Sequence, residues 1–298
     1  MLCCRFRNTV SLCNMPCRSP LLVEKKGHLR KIPVPCGKCP PCRKRKVDEW
    51  VLRLMEEDKV SDSAYFITLT YTPTTVPITP NKFMTLDKSD YQKFMKRLRK
   101  NHNGKPIKYY AVGEYGDTRK RPHYHAIIFN VESPEEIEKA WTLDGELIGT
   151  VHVGNVSGNS IAYTLKYMDK GSKVPIHKRD DRLKEFALMS KGLGSSWITE
   201  AKKKFYNENL DKTYTMQNGY RKAMPRFYRD RILTEENNHK QIDIIRTKVD
   251  ARSQKKYREF LKSCGKTEKD LDFNEYMSYI KAGESYTFFK NHKKRDYD

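Results

Sequence analysis

The 298-residue sequence has no apolar run approaching the ~20 residues that a membrane-spanning helix needs. Its opening, "MLCCRFRNTV", has no apolar stretch of the kind a secretory signal carries. Neither a lipidation signal nor an amphipathic helix with a broad apolar face stands out, which disfavours the rival class of cationic membrane-surface proteins. Internal repeats and low-complexity tracts are missing, so repeat architectures are set aside. Acidic residues are the scarce charge: 37 Asp and Glu stand against 59 Lys and Arg, a net charge of +22. That exceeds what solubility requires and makes nucleic acid the leading partner class. Cysteine is rare over most of the chain. Seven of the eight lie within the first 42 residues, and Cys264 alone lies beyond. A local cluster of this kind points to metal and not to the disulfide framework of a secreted fold. The expectation is a soluble intracellular protein with no membrane partner.

Within that cluster "CGKCPPC" places Cys36, Cys39 and Cys42 in the tight spacing by which thiolates converge on one tetrahedral zinc. A structural Zn2+ is expected there, with Cys3, Cys4, Cys13 or Cys17 as the fourth ligand; spacing does not choose among them. The competing reading is a set of reduced thiols on a basic arm. A helix follows, with Val47, Trp50, Val51, Leu54 and Met55 on one stripe. "YFITLTY" alternates as a strand, and the proline-marked segment 72–80 reads as a loop. "LDKSDYQKFMKRLRKN" reads as a helix capped by Asp87 or Ser89, burying Tyr91, Phe94, Met95 and Leu98. Its outer face, with Lys96, Arg97 and Lys100, is dense enough in one sign to suit phosphates.

"IKYYAVGEYG" and "RPHYHAIIF" read as strand, turn and strand. A short helix from Ser133 to about Trp141, a strand at "TVHVGNV" and a helix at "SIAYTLKYMDK" complete the pattern. Irregular alternation with hairpin spacing favours an α+β fold with an antiparallel sheet flanked by helices. Three regions are expected: 1–60, a Cys-rich zinc-binding arm plus a helix; 61–175, the core; and 176–298, a basic, mostly helical extension. In the extension, "TEAKKKFYNENL" and residues 229–264 carry the helical signal.

Residues two apart on a strand share a face, so His123 and His125 project together. Two imidazoles so placed can share a divalent ion if a third ligand arrives from a neighbouring strand. Glu114, on the preceding strand just before the turn, is the candidate. One carboxylate and two imidazoles suit Mg2+ or Mn2+ in phosphate chemistry, and equally describe a non-haem iron site. "YTLKY" places Tyr163, Lys166 and Tyr167 on one helical face. A phenol is a poor nucleophile unless a nearby cation favours its phenolate, and Lys166 supplies one. The commoner fate of such a pair is burial of both rings against the sheet.

The ordered series "FITLTY", "GEYG", "RPHYHAIIF" and "YTLKYMDK" resembles the motifs of the HUH endonucleases, specifically the rolling-circle replication initiators of Microviridae phages, the gokushovirus branch above all. "VPCGKCPPCRKRK", "MSKGLGSSW" and "MPRFYRDRI" extend the likeness over most of residues 30–235. The resemblance implies an HUH endonuclease core that cleaves and rejoins single-stranded DNA at a phage origin. It implies His123 and His125 as metal ligands, Tyr163 and Tyr167 as nucleophiles, and Lys166 as electrostatic helper. Tyr124 stands where the family has a bulky apolar residue. Arg119, Lys120 and Arg121 lie beside this site and are DNA-contact candidates. The partners implied are single-stranded origin DNA and the host replication machinery, in the cytoplasm of a bacterial host. One rival is a non-catalytic, zinc-containing protein that coats single strands; another keeps the fold in a transposase or relaxase.

Overall fold

The computed structural model describes residues 17, 21–24, 32–100, 102–156, 161, 164–165, 174–217, 219–278 and 280. Two compact units emerge, one spanning Arg43–Trp197 and the other combining the chain up to Cys42 with the chain from Ile198 onward. In chain order a short antiparallel hairpin, β1 (Leu21–Val23) and β2 (Ile32–Val34), precedes helix α1 (Pro40–Asp58). The prolines that open α1 sit in its first turn, where a missing N–H removes no helical hydrogen bond.

The central unit is built on five strands: β3 (Ala64–Leu69), β4 (Lys108–Tyr115), β5 (Pro122–Phe129), β8 (Val151–Asn155) and β9 (Phe186–Met189). Helices α2 (Lys88–Lys100) and α3 (Pro134–Ala140) and a minor hairpin, β6 (Thr142–Leu143) and β7 (Glu146–Leu147), are inserted between them. The strand order is β8-β3-β5-β4-β9 and every neighbouring pair is antiparallel. This is the α+β architecture that the sequence pattern predicts.

Strand alternation sorts the side chains onto two faces. On one face Ile67, Leu69, Ala111, Tyr124, Ala126 and Ile128 pack against Tyr91, Phe94, Met95 and Leu98 of α2 and against Ile137 and Trp141. The α2 stripe is the one its periodicity predicts, and Asp87 caps the helix by accepting from the Ser89 N–H at 2.7 Å. Burial of each large apolar side chain here contributes about 1.5–3 kcal/mol. The Tyr124 hydroxyl lies 2.7 Å from that of Tyr71, which donates to Asp90 at 2.8 Å, so the residue between the two histidines is pinned on this far face.

On the opposite face Tyr110, Val112, Ile127 and Phe129 pack against Leu54, with Val47, Trp50, Val51 and Met55 of α1 beside it. Ile161, Leu165 and Leu193 join the same cluster. The "GLGSSW" segment serves this packing. Gly192 and Gly194 take positive φ values of 72° and 71°, a region open to glycine, and Leu193 between them is fully buried. Glu57 accepts from the Gly194 N–H at 2.8 Å and from Lys108 Nζ at 2.7 Å, while Arg53 donates to the Leu193 carbonyl at 3.1 Å. A buried pair anchors the chain that leads into β9: Arg182 donates through Nε and a terminal nitrogen to the two Asp180 oxygens at 2.8 and 2.7 Å.

In the other unit, α4 (Glu200–Glu208) is followed by hairpin β10 (Tyr214–Gln217) and β11 (Tyr220–Ala223), α5 (Arg226–Ile232) and α6 (Glu235–Cys264). Thr199 and Thr234 cap α4 and α6, and Gly265 ends α6 in the left-handed region. Tyr257, Leu261, Leu271 and Tyr276 form a small apolar cluster at its end. The sequence signals from residue 176 onward are helical, yet β9, in the central unit, and the β10–β11 hairpin are strands. β9 is a four-residue apolar run with no alternation to mark it, and its pairing with β4 decides its conformation. Among the described residues no helix is long and apolar enough to cross a membrane.

Candidate metal centre

The β4–β5 register sets Glu114 directly opposite His123, and alternation turns His125 to the same face as both. One ligand atom from each of the three lies within 4.8 Å of the others. The ring centroids of the histidines are 4.9 Å apart, and Phe66 stacks on His125 at 5.8 Å. Glu114 and His125 are buried, and His123 is half-buried toward the open side.

The outer nitrogens fix how the rings are aimed. His123 Nδ1 lies 3.2 Å from the Arg121 carbonyl, which can only accept, so that nitrogen carries the proton. In neutral His123 the lone pair is then on Nε2, and Nε2 lies 2.7 Å from Glu114 Oε1. Two acceptors at that distance require a proton or a cation between them. His125 Nδ1 pairs with the Thr68 hydroxyl at 2.9 Å, and its Nε2 lies 3.3 Å from the same carboxylate oxygen. Burial pushes the Glu114 carboxyl up, but hydrogen bonds and charge from both imidazoles outweigh it and leave the group below its ordinary value. An anionic oxygen and two oriented imidazoles form a donor set that fits a divalent cation.

Tyr163, Lys166 and Tyr167 lie outside the described residues. Their described neighbours Ile161, Thr164 and Leu165 are helical and buried, and Ile161 and Leu165 pack with Ile127 and Phe129, on the face that carries the histidines.

The basic candidates divide. Arg119 is exposed. Lys120 donates to the Asp117 carbonyl at 2.8 Å and Arg121 donates to the Tyr71 carbonyl, so both help to hold the turn beside the site. Lys96 and Lys100 are exposed on α2, which covers the opposite face of the sheet, and Arg97 donates to the Ala140 carbonyl at 2.7 Å. The fold therefore does not bring the α2 cations together with the Glu114–His123–His125 cluster.

Two residues on the histidine face escape sequence reasoning. Thr68 is one, as the partner of His125. The other is His152 on edge strand β8, exposed and directly opposite Thr68. Two strand spacings, about 10 Å, separate its backbone from that of His125. Its alternation within "TVHVGNV" is a signal, but the face it joins depends on a pairing between segments far apart in the chain.

A second cluster lies at the amino-terminal end of α1, where Cys17, Cys36, Cys39 and Cys42 bring their sulfurs within 4.8 Å of one another. The fourth member is Cys17; Cys3, Cys4 and Cys13 lie outside the described residues. The N–H groups of Lys38 and Cys39 donate to Cys36 Sγ at 3.4 and 3.3 Å, and the Cys36 N–H donates to Cys17 Sγ at 3.2 Å. Donation from the Cys39 and Lys38 backbone lowers the Cys36 thiol to about 6, whereas burial pushes Cys42 up to about 12. Four converging sulfurs, one already favouring thiolate, fit a soft metal ion.

Residues 64–172 match the family profile of replication-associated protein ORF2. The chain is 30% identical over 244 residues to replication-associated protein ORF2 of Spiroplasma virus 4, covering 75% of each chain. It belongs to the phage replication-associated protein family. Replication-associated protein VP4 of Bdellovibrio phage phiMH2K is 27% identical over 282 residues, 85% of this chain and 82% of the relative. Replication-associated protein ORF4 of Chlamydia phage 1 is 26% identical over 224 residues, 66% of this chain and 53% of the relative. No solved structure matches the chain. Membership of this family makes the chain a phage replication initiator of the Microviridae rolling-circle type.

Proposed function

We propose that the protein initiates replication by cleaving and rejoining single-stranded origin DNA through a tyrosine. The observation that carries this reading is the convergence of Glu114, His123 and His125 on the sheet face where Ile161 and Leu165 also pack. Those three residues would hold a divalent cation, Mg2+ or Mn2+, which when bound would supply positive charge beside the scissile phosphate. Tyr163 or Tyr167 provides the nucleophile, and Lys166 favours its phenolate. The phenolic oxygen bonds to phosphorus as the bond to the 3′ oxygen breaks. The phenolic proton leaves, and the 3′ oxygen takes up a proton to become a hydroxyl. The resulting 5′-phosphotyrosine conserves the phosphodiester energy for rejoining, and the 3′-hydroxyl primes a host polymerase. With two tyrosines, the second attacks the regenerated origin while the first is still attached.

His152 and Thr68 extend the same face toward the exposed sheet edge. In this reading His152 receives the phosphate next to the scissile one, and Arg119 adds charge at the turn. Cys17, Cys36, Cys39 and Cys42 would hold a structural Zn2+, which would tie the start of α1 to the chain before it.

The test is covalent capture on an origin oligonucleotide with Mn2+, followed by denaturing electrophoresis. Wild-type protein forms an adduct, and the Tyr163→Phe, Tyr167→Phe double variant forms none. Adducts persisting in the double variant would assign the nucleophile elsewhere.

A further inference from the structure

The β10–β11 hairpin serves neither the metal centre nor the sulfur cluster. Its register pairs Tyr214 with Ala223, Thr215 with Lys222, Met216 with Arg221 and Gln217 with Tyr220. The two strands differ in burial. Thr215 of β10 is 1% exposed, and the Tyr214 carbonyl accepts from the Tyr206 hydroxyl at 2.9 Å, so β10 is fastened to its own unit. All four residues of β11 are exposed, and among the described residues no further strand pairs with it.

What the hairpin displays is specific. Tyr220 is 73% exposed and Met216 57% exposed. The Arg221 guanidinium lies 4.6 Å from the centre of the Tyr214 ring, which preorganises it for a planar contact. From Lys212 to Pro225 there is no acidic residue. Alternation puts Arg221 on one side of the ribbon, with Lys222 and Tyr220 on the two rungs of the other side.

One explanation for charge on an edge strand is protection against edge-to-edge pairing. It accounts for Arg221 and Lys222. It does not account for a bare tyrosine and methionine on the same ribbon, which would promote the association that the cations are meant to prevent.

We propose that the β10–β11 hairpin is a groove-reading element for duplex DNA. The exposed strand β11, entering by its open edge with side chains on both sides, spans about 10 Å and fits a major groove about 12 Å wide. Arg221 and Lys222, on the two sides of β11, meet the two phosphate-lined walls, while Tyr220 beside Lys222 reaches base edges and thymine methyl groups. A single strand is held differently, by successive aromatic platforms along a charged groove. This ribbon offers Tyr220 as its exposed ring and no such series. The element gives an initiator a means of finding an origin while it is still double-stranded, a task separate from cleaving a single strand.

The experiment compares wild type with a Tyr220→Ser, Arg221→Gln, Lys222→Gln variant of the full chain. The probes are a short labelled duplex of mixed sequence and a poly-dT strand of the same length, each titrated at several salt concentrations. Duplex affinity is expected to fall about tenfold, and the slope of log affinity against log salt to fall by about 1.8, for two phosphate contacts at ~0.9 each. Poly-dT affinity and adduct formation on single-stranded origin DNA should change little, by less than about twofold. Melting temperature checks that the fold is intact, and Lys222→Glu alone, at an exposed position, should weaken duplex binding in the same direction. Unchanged duplex binding overturns the proposal, as does a parallel loss for both probes or aggregation without loss of affinity. Because adduct formation is scored separately, failure here is distinct from failure of the cleavage reading.

Discussion

Glu114, His123 and His125 offer one oxygen and two nitrogens from neighbouring strands, whereas Cys17, Cys36, Cys39 and Cys42 offer four sulfurs from a turn, the start of a helix and a distant stretch of chain. With three donors, the first set would leave a bound cation open to a further oxygen ligand, and a sheet fixes its donors to within a side-chain rotation. With four sulfurs, the second would leave no position open. Hard and borderline donors suit a cation that meets phosphate, and thiolates suit one that holds the chain together. The comparison teaches that the number and chemistry of the donors, and the elements supplying them, distinguish the two clusters.

The largest expected effect belongs to the sulfur set. Replacing Cys36 and Cys39 together by Ser should remove one equivalent of bound zinc from purified protein, read by elemental analysis, since structural zinc sites are worth on the order of 10 kcal/mol. Equal zinc content in variant and wild type would erase the distinction. The oxygen and nitrogen set should fail differently: His123→Ala with His125→Ala should slow adduct formation on the order of 10³-fold, as loss of several kcal/mol of charge stabilisation implies. Salt-sensitive DNA binding should persist in that variant; if it vanishes together with cleavage, misfolding is the explanation.

A finer probe is Thr68→Val, which removes the hydroxyl that aims His125. It should raise the Mn2+ concentration for half-maximal cleavage by about 10–100-fold while the rate at saturating Mn2+ largely recovers. Away from both clusters, Asp180→Asn breaks a buried pair and should lower stability by about 3 kcal/mol, measured by denaturant unfolding. The Arg182 guanidinium holds the Asp180 carboxyl well below the usual carboxylate range. Its contribution is therefore complete above the unfolded value of about 3.9 and is lost as pH falls toward the folded one. The variant should lack that part of the acid sensitivity. The smallest effect is that of His152→Gln, about fivefold in KM for the oligonucleotide with kcat unchanged, the pattern of a contact made equally in ground and transition states.

How much of this was legible without coordinates varies by element. The α2 stripe of Tyr91, Phe94, Met95 and Leu98 and the α1 stripe at Trp50 and Leu54 follow from helical periodicity alone. The Glu114–His123–His125 grouping was legible because a short hairpin joins its strands and limits the register. The α2 cations illustrate the opposite case. Lys96 and Lys100 read as phosphate contacts from density of charge, but which side of a sheet a helix covers is a property of chain connection and not of its own residues.

By itself the sequence determined what is local: helix stripes and caps, the two-residue spacing that puts His123 and His125 on one face, and the Cys36–Cys39–Cys42 turn. Periodicity and steric rules act over a few residues, so a single segment suffices to express them. Only the tertiary structure decided that Cys17 completes the sulfur set, that Thr68 and His152 join the histidine face, and that Phe186–Met189 is a strand. Each of those depends on long-range pairing, whose energy is shared between segments that carry no mark of one another.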